Sequence, residues 1–250
     1  MPSAARRRCV QKRLAATLII MCGRITSTAS PEEIAETYRV AHPPATHDLV
    51  LARYNIAPTQ PVIVVRSPEA GREMIVMRWG LVPRWAKDMS IGSRMINARA
   101  ETLIEKPAFR DAFRKRRCLI PVTGFYEWAE VSRDKKQPYL IRMRGGKLFA
   151  LAGLWEEWMP PDGGAMLQTF TIVTTEANEA IRPFHHRMPV ILSREHVDIW
   201  LNPASDDCSL LKLLRPCPAE WLETIAVSPL VNNPRNDSPD CLRPATDDRK

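Results

Sequence analysis

No run in the 250-residue chain approaches the ~20 consecutive apolar residues that a membrane-spanning helix needs. None of the six cysteines pairs with another as C-x-x-C, which argues against a structural zinc site. The chain has no glycine-rich phosphate loop, no H-E-x-x-H and no G-x-S-x-G, so three common catalytic frameworks are set aside. It has no internal repeat and no linker-like stretch, which leaves a single domain as the simplest organisation.

The residues that are present describe an ordinary globular protein, 45% hydrophobic and 26% charged, long enough to bury a sizeable core. The net charge is +8, and 27 of the 36 basic residues are arginine. Arginine suits phosphate because its planar fork donates two parallel hydrogen bonds, so a nucleic-acid partner is favoured, modestly, over other classes. The cysteines (Cys9, Cys22, Cys118, Cys208, Cys217 and Cys241) are too widely and irregularly spaced for a disulfide scaffold. A reducing, cytoplasmic setting is expected, with Cys118 in "RRCLIPV" a small buried hydrophobe.

Residues 1–20 open with a basic, then apolar, stretch. A signal peptide lacks its small-residue cleavage site here, and a lipoprotein leader is at odds with the large Ile20 and Met21 before Cys22. The favoured reading is an extension ahead of the true start at Met21. Removing that Met exposes Cys22 as the amino terminus. The expected boundaries are an extension at 1–20, one domain at 21–238 and an irregular tail at 239–250.

Local patterns predict a helix from "SPEEIAETYRV", with Ser30 as cap, Pro31 in the first helical position and Glu33 completing a capping box. Strands are expected at about 61–66, in "REMIVMRWGLVP", and in "CLIPVTGFYEW", "QPYLIRM", "KLFALAGLW" and "QTFTIVTTE". Turns are expected at "KKQP" and Gly145-Gly146. "RMINARAET" reads as a strand end or loop. "KPAFRDAFRKRR" reads as a short amphipathic helix with Phe109 and Phe113 on one face, and "SREHVDIWL" as a helix capped by Ser193. A short strand is expected near 222–228. Many strands with interspersed helices and no regular βαβ alternation imply an α+β fold around a curled, mostly antiparallel sheet.

Four segments carry reactive groups, and each also has a plain structural reading. In "MCGR", a Cys22 freed at its amino end offers an amine and a thiol on adjacent carbons; the alternative is a buried cysteine in a strand. An α-amine with a pKa of about 7.7–8.0 is partly neutral at pH 7 and attacks aldehydes to give a Schiff base. The thiol can then close a five-membered thiazolidine. In "INARAET", Asn97 and Arg99 fall on one side of a strand, as active-site groups or as a polar strand edge. In "PVTGFYEW", apolar neighbours would raise the Glu127 pKa toward that of a proton shuttle, unless the residue simply faces solvent. In "FHHRMPVIL", His185 and His186 are candidates for acid–base work or an unremarkable surface pair.

Ten segments occur in order: "MCGR", "RYNIAPTQ", "WGLVPRWA", "INARAET", "RRCLIPVTGFYEW", "KKQPYLIRM", "FALAGLW", "FTIVTTEAN", "HHRMPVIL" and "VNNPRND". As a set they resemble the SRAP family, the SOS-response-associated peptidases or abasic-site processing proteins, over about 21–238. The resemblance implies a single α+β domain that binds single-stranded DNA containing abasic sites and joins its amino-terminal cysteine to the sugar aldehyde as a thiazolidine. It implies Cys22 as nucleophile, Asn97 as the group positioning sugar and amine, Glu127 as proton shuttle and His185 as the aid to ring opening. His186 receives no catalytic role. Arg24 and Arg99 are implied to contact phosphates, with Trp85 and Pro58 lining the DNA path. No metal or other cofactor is called for. A monomer is expected, associated with the nucleoid when on DNA, with replication-fork proteins as conceivable partners. Two other readings stay open: a thiol autopeptidase that removes its own leader before Cys22, and a non-catalytic single-strand binder.

Overall fold

The computed structural model describes residues 22–41, 52–68, 71–132 and 135–245. The expectations for residues 1–20, for Met21 and for the last five residues lie outside the described residues. In chain order the elements are β1 (Ile25–Ser27), α1 (Pro31–Tyr38), β2 (Arg53–Ile56), β3 (Pro61–Arg66), β4 (Glu73–Trp79), β5 (Asn97–Arg99), α2 (Arg110–Lys115), β6 (Arg117–Val122), β7 (Gly124–Ser132), β8 (Lys135–Met143), β9 (Phe149–Trp158), β10 (Leu167–Glu176), β11 (Arg187–Pro189), β12 (Ile191–Leu192), α3 (Arg194–Leu201), α4 (Asp207–Leu213) and β13 (Leu222–Ala226).

The strands form two sheets. One has five strands in the order β13-β8-β7-β1-β2, all antiparallel. The other has eight, and five of them close on themselves, because β10 pairs with both β4 and β9 at the ends of the path β4-β3-β6-β9. Only the pairings of β10 with β4 and β5 are parallel. The α+β class with a curled, mostly antiparallel sheet is thus observed, with the curl completed into a small barrel.

Alternation along the barrel strands feeds two apolar clusters, as the two-residue period of a strand requires. Ile63, Val65, Leu119 and Ala152 join one cluster with Ile34 of α1, Phe113 of α2 and Trp200 of α3. Val62, Val64, Cys118 and Ile120 join another with Ile25, Phe125 and Ile141 of the five-stranded sheet. Cys118 is fully buried as expected, and desolvation pushes its thiol far up from the ordinary range. The five described cysteines are all free thiols.

The serine caps and Pro31 sit as expected. Ser30 accepts from the Glu33 amide at 3.1 Å, with Pro31 in the first turn, and Ser193 accepts from the His196 amide. Such caps satisfy one of the orphaned amides at a helix start. Gly145 and Gly146 take the left-handed conformation that a turn between β8 and β9 needs, with φ of 78° and 67°.

"KKQP" is a correction, since all four residues lie within β8 rather than in a turn. Pro138 sits opposite Trp128 and lacks an N–H for its other neighbour, Val227. Gln137 resolves this. Its side-chain Nε2 donates to the Val227 carbonyl at 2.8 Å, while the Val227 amide donates to the Pro138 carbonyl at 3.0 Å. The glutamine side chain replaces the donor that proline removes, so the strand tolerates it.

The segment read as an irregular tail has few regular elements but is packed. Cys241 is fully buried, Val227 and Pro244 form an isolated bridge, and the Ala245 amide donates to the Ala226 carbonyl at 2.9 Å.

Candidate active site

Cys22 lies in the turn that leads into β1. Because β1 runs antiparallel to β7, with Ile25 opposite Phe125 and the Tyr126 amide donating to the Arg24 carbonyl, the chain carries Cys22 back to Glu127. The Cys22 backbone nitrogen donates to Glu127 Oε1 at 3.0 Å. Here that nitrogen is a peptide amide, and it stands in the place of the α-amine of a chain that begins at Cys22. Cys22 also has a φ of 31°, an unusual value for a residue with a side chain.

Both partners are buried, and burial sets their proton affinities. Desolvation raises the Glu127 carboxyl from 4.5 to about 7, against the smaller opposing effect of the Cys22 hydrogen bond. Desolvation, followed by the nearby Glu127 charge, pushes the Cys22 thiol well above its usual range. At pH 7 the sulfur is therefore a protonated thiol, and the carboxyl is balanced between donor and acceptor.

His185 is buried ahead of β11. Its Nδ1 accepts the Arg187 amide at 2.9 Å, which requires a lone pair there and leaves the ring proton of the neutral imidazole on Nε2. Nε2 is buried without a hydrogen-bond partner among the described residues. Desolvation, then the adjacent His186, hold the imidazole below its ordinary value. His186 is exposed and stacks on His185 at 4.3 Å between ring centroids.

Asn97 opens β5, half-buried, in parallel register with Ile172 of β10, and Arg99 follows on the same side, exposed. The preceding residue is anchored by Trp79, a fully buried ring whose Nε1 donates to the Ile96 carbonyl at 2.9 Å and which stacks on Phe170.

Cys22 and Glu127 are thus joined directly. Asn97 lies on the other sheet and His185 in the stretch just before its β11, both beside the end of β10. Two observations link the pairs. Cys22 shares one apolar cluster with Ile96, which precedes Asn97, and with Ile181 and Met188, which lie on either side of His185 in the chain. Across β7–β8, Glu127 is opposite Tyr139, whose ring packs on Phe184 at 4.8 Å, next to His185.

The four peripheral candidates differ in setting. Trp85 is 60% exposed and Pro58 half-buried beside Thr59, which has a φ of 74°. Arg24 is half-buried, with Nη1 donating to Asn55 Oδ1 at 2.6 Å and to the Val231 carbonyl. Its guanidinium lies 5.7 Å from the Trp128 ring centroid. Sequence reasoning gave no role to Arg187, which fixes the His185 tautomer through its amide. Its side chain forms a bidentate pair with Glu101 and also donates to the Thr174 carbonyl at 2.7 Å. The signal was the arginine immediately after the histidine pair. Among the described residues no cluster of His, Cys, Asp or Glu is arranged to hold a metal, and no helix is long and apolar enough to cross a membrane.

The chain is similar to the Bacillus subtilis abasic site processing protein YoqW, with 42% identity over 225 residues covering 89% of this chain and 99% of that protein. The Gallus gallus abasic site processing protein HMCES is 35% identical over 223 residues, 76% of this chain and 66% of that one. Among solved structures, a protein from Bacteroides thetaiotaomicron superposes with a TM-score of 0.82 at 28% identity, covering 90% of this chain and all of that one. One from Bordetella bronchiseptica gives 0.71 at 28% identity, covering 83% of this chain and all of that one. The profile of the SOS response associated peptidase (SRAP) family matches residues 21–234, and with that span and these relatives the chain belongs to the SRAP family.

Proposed function

We propose that the protein processes abasic sites in single-stranded DNA by forming a covalent thiazolidine between Cys22 and the sugar aldehyde. The observation that carries this reading is the 3.0 Å hydrogen bond from the Cys22 nitrogen to a carboxyl poised near neutrality. The relatives named for abasic-site processing supply the substrate class.

The chemistry needs a chain whose first residue is Cys22. The closed sugar must first open, and the His185 Nε2 proton is suited to stabilise the ring oxygen as it leaves. The neutral amine then attacks C1′. Glu127 accepts a proton from the attacking nitrogen and returns it to the departing hydroxyl, which leaves as water. While the attacking amine is neutral no cation stands beside the carboxyl, so burial holds it near the value of about 7 that it has beside the peptide amide, and it can do both near neutral pH. The thiol finally adds across the imine: a C–S bond forms and the sulfur's proton ends on nitrogen. The net change is loss of one water, with no oxidant or reductant. Because burial holds the thiol protonated, the amine is the first nucleophile and the sulfur the trap.

Asn97 serves to hold the open sugar against the amine. Arg24 and Arg99 serve as phosphate contacts, and Trp85 with Pro58 as the wall on which bases rest. Backbone contacts of this kind make binding salt-dependent and tolerant of sequence. The protein acts as a monomer and needs no cofactor.

The test is a denaturing gel of protein beginning at Cys22 with an oligonucleotide that holds one abasic site. A slow-migrating adduct with the abasic strand, none with the intact strand and none for Cys22→Ala is expected. Equal binding of both strands without an adduct leaves only a single-strand binder. Loss of mass from the amino end of the longer chain, blocked by Cys22→Ala, indicates the autopeptidase.

A further inference from the structure

The ordered segments "RYNIAPTQ" and "VNNPRND" contain no group that touches the reacting atoms, yet the fold brings them together at Asn55. This residue of β2 is fully buried. Its Oδ1 accepts from Arg24 Nη1 at 2.6 Å. Its Nδ2 donates among three carbonyls of one turn, those of Val231 at 3.2 Å, Asn233 at 3.0 Å and Asn236 at 2.7 Å. The Val231 carbonyl also accepts from Arg24 Nη1. The turn is fixed at two further points. The Asp237 carboxylate accepts the Tyr54 and Asn55 amides and pairs with Arg53, and Asn232 Oδ1 accepts from Trp128 Nε1 at 2.7 Å.

Among the described residues Arg24 shares its lack of a carboxylate with the buried Arg117, but Arg117 spends all three nitrogens on carbonyls of Phe113, Arg114, Trp200 and Asn202, whereas Arg24 does not. Arg53, Arg66, Arg72, Arg116 and Arg187 are each paired with a carboxylate. Among the described residues none pairs with Arg24, whose acceptors are neutral oxygens. Burial lowers its pKa, and its Nε is buried with no hydrogen-bond partner. An oriented, half-buried guanidinium that keeps its full charge is a seat for an incoming anion. An aspartate at position 55 would have nearly the same shape and would neutralise that charge. The carboxamide orients the arginine without doing so.

We propose that Asn55 is a positioning residue: its carboxamide aims the uncompensated Arg24 guanidinium at a DNA phosphate and, with the same group, docks the Val231–Asn236 turn that forms the other side of the seat. The proposal rests on the reading of Arg24 as a phosphate contact. It makes a segment near the end of the chain part of the binding apparatus beside Cys22, two residues before Arg24.

The test is the salt dependence of binding to an intact single strand, measured for wild type, Arg24→Ala, Asn55→Asp and the double variant. Each phosphate contact to a single strand contributes about 0.7 to the slope of log K against log salt. Arg24→Ala and Asn55→Asp should each lower the slope by that amount, and the double variant by no more than either alone. Ser193→Ala, which removes the cap of α3 and touches neither Arg24 nor the turn, should lower Tm and leave the slope unchanged. A wild-type slope in Asn55→Asp overturns the proposal, as does an unchanged slope in Arg24→Ala. Adduct formation by the same wild-type protein with an abasic strand, run in parallel, shows that the covalent reading survives either failure.

If Asn55→Asp does not fold, NMR of the wild-type guanidinium decides. Restricted rotation of the Arg24 side chain in the free protein is expected, and freely averaged signals overturn the proposal.

Discussion

The backbone nitrogen of Cys22 and the carboxyl of Glu127 are 3.0 Å apart, although 105 positions separate them in the chain. The antiparallel pairing of β1 with β7 makes the contact, and burial of both groups gives it chemical consequence. A carboxyl raised to about 7 touches the atom that becomes a nucleophilic amine once Cys22 is first in the chain.

Glu127 should titrate differently in the two forms of the protein. With the Cys22 nitrogen an amide, the folded carboxyl titrates near 7 against 4.5 for the ordinary group. The folded state then holds the proton more tightly than the unfolded one. The resulting stability is fully present below pH 4.5 and is lost as pH rises through about 7, a difference on the order of 3 kcal/mol. Glu127→Gln should abolish that dependence and unfold at higher temperature above pH 7. In a chain that begins at Cys22, the ammonium beside the carboxylate should pull the Glu127 midpoint down. Carbon-13 titration of the carboxyl in both forms checks this, and equal midpoints would count against the pairing. The same Glu127→Gln change should slow adduct formation by roughly 10²–10⁴-fold.

His185 and His186 should separate cleanly. His186→Ala removes a like-charged neighbour and opens the site, so the His185 midpoint should rise toward 6.5, as read from its ring protons. Adduct yield should change little. His185→Ala should leave the fold intact by circular dichroism and slow the reaction with the closed sugar.

Much of this was legible in the chain. Ser30, Pro31 and Ser193 announce their helices because capping is local chemistry. Glu127 could be singled out because its neighbours are aromatic. Register was not legible. Nothing in "KKQP" says that Gln137 would supply the hydrogen bond Pro138 cannot, because the need arises from Val227, 89 positions away. The Asn55 carboxamide was equally silent, since its partners come from a turn near the end of the chain. Long-range pairing defines both, and periodicity carries no information about which strands become neighbours.

Trp85 should matter for DNA and not for folding. It is 60% exposed, so Trp85→Ala should leave Tm within about a degree. Removal of a stacking platform is worth about 1–3 kcal/mol per base, so affinity for abasic and intact strands should fall together by about 10-fold or more. Fluorescence anisotropy with both strands checks this. A loss confined to the abasic strand would place Trp85 at the lesion itself.

Gly80 should be intolerant of a side chain. Its φ is 114°, and an added Cβ would meet the Gly92 carbonyl oxygen at 2.6 Å, backbone against backbone. The displaced segment leads through Met95 and Ile96 to Asn97. Gly80→Ala should cost more than about 3 kcal/mol and lower Tm by roughly 10 °C. Thermal unfolding followed by circular dichroism measures it.

The most direct measurement is the intact mass, and then the peptide map, of the product formed when protein beginning at Cys22 meets an abasic single strand with no reductant present. The predicted product has the mass of protein plus DNA less one water, with the sugar carbon on both the nitrogen and the sulfur of Cys22. No product, or one attached through a lysine with the Cys22 thiol still free to alkylate, would contradict the two-pronged capture.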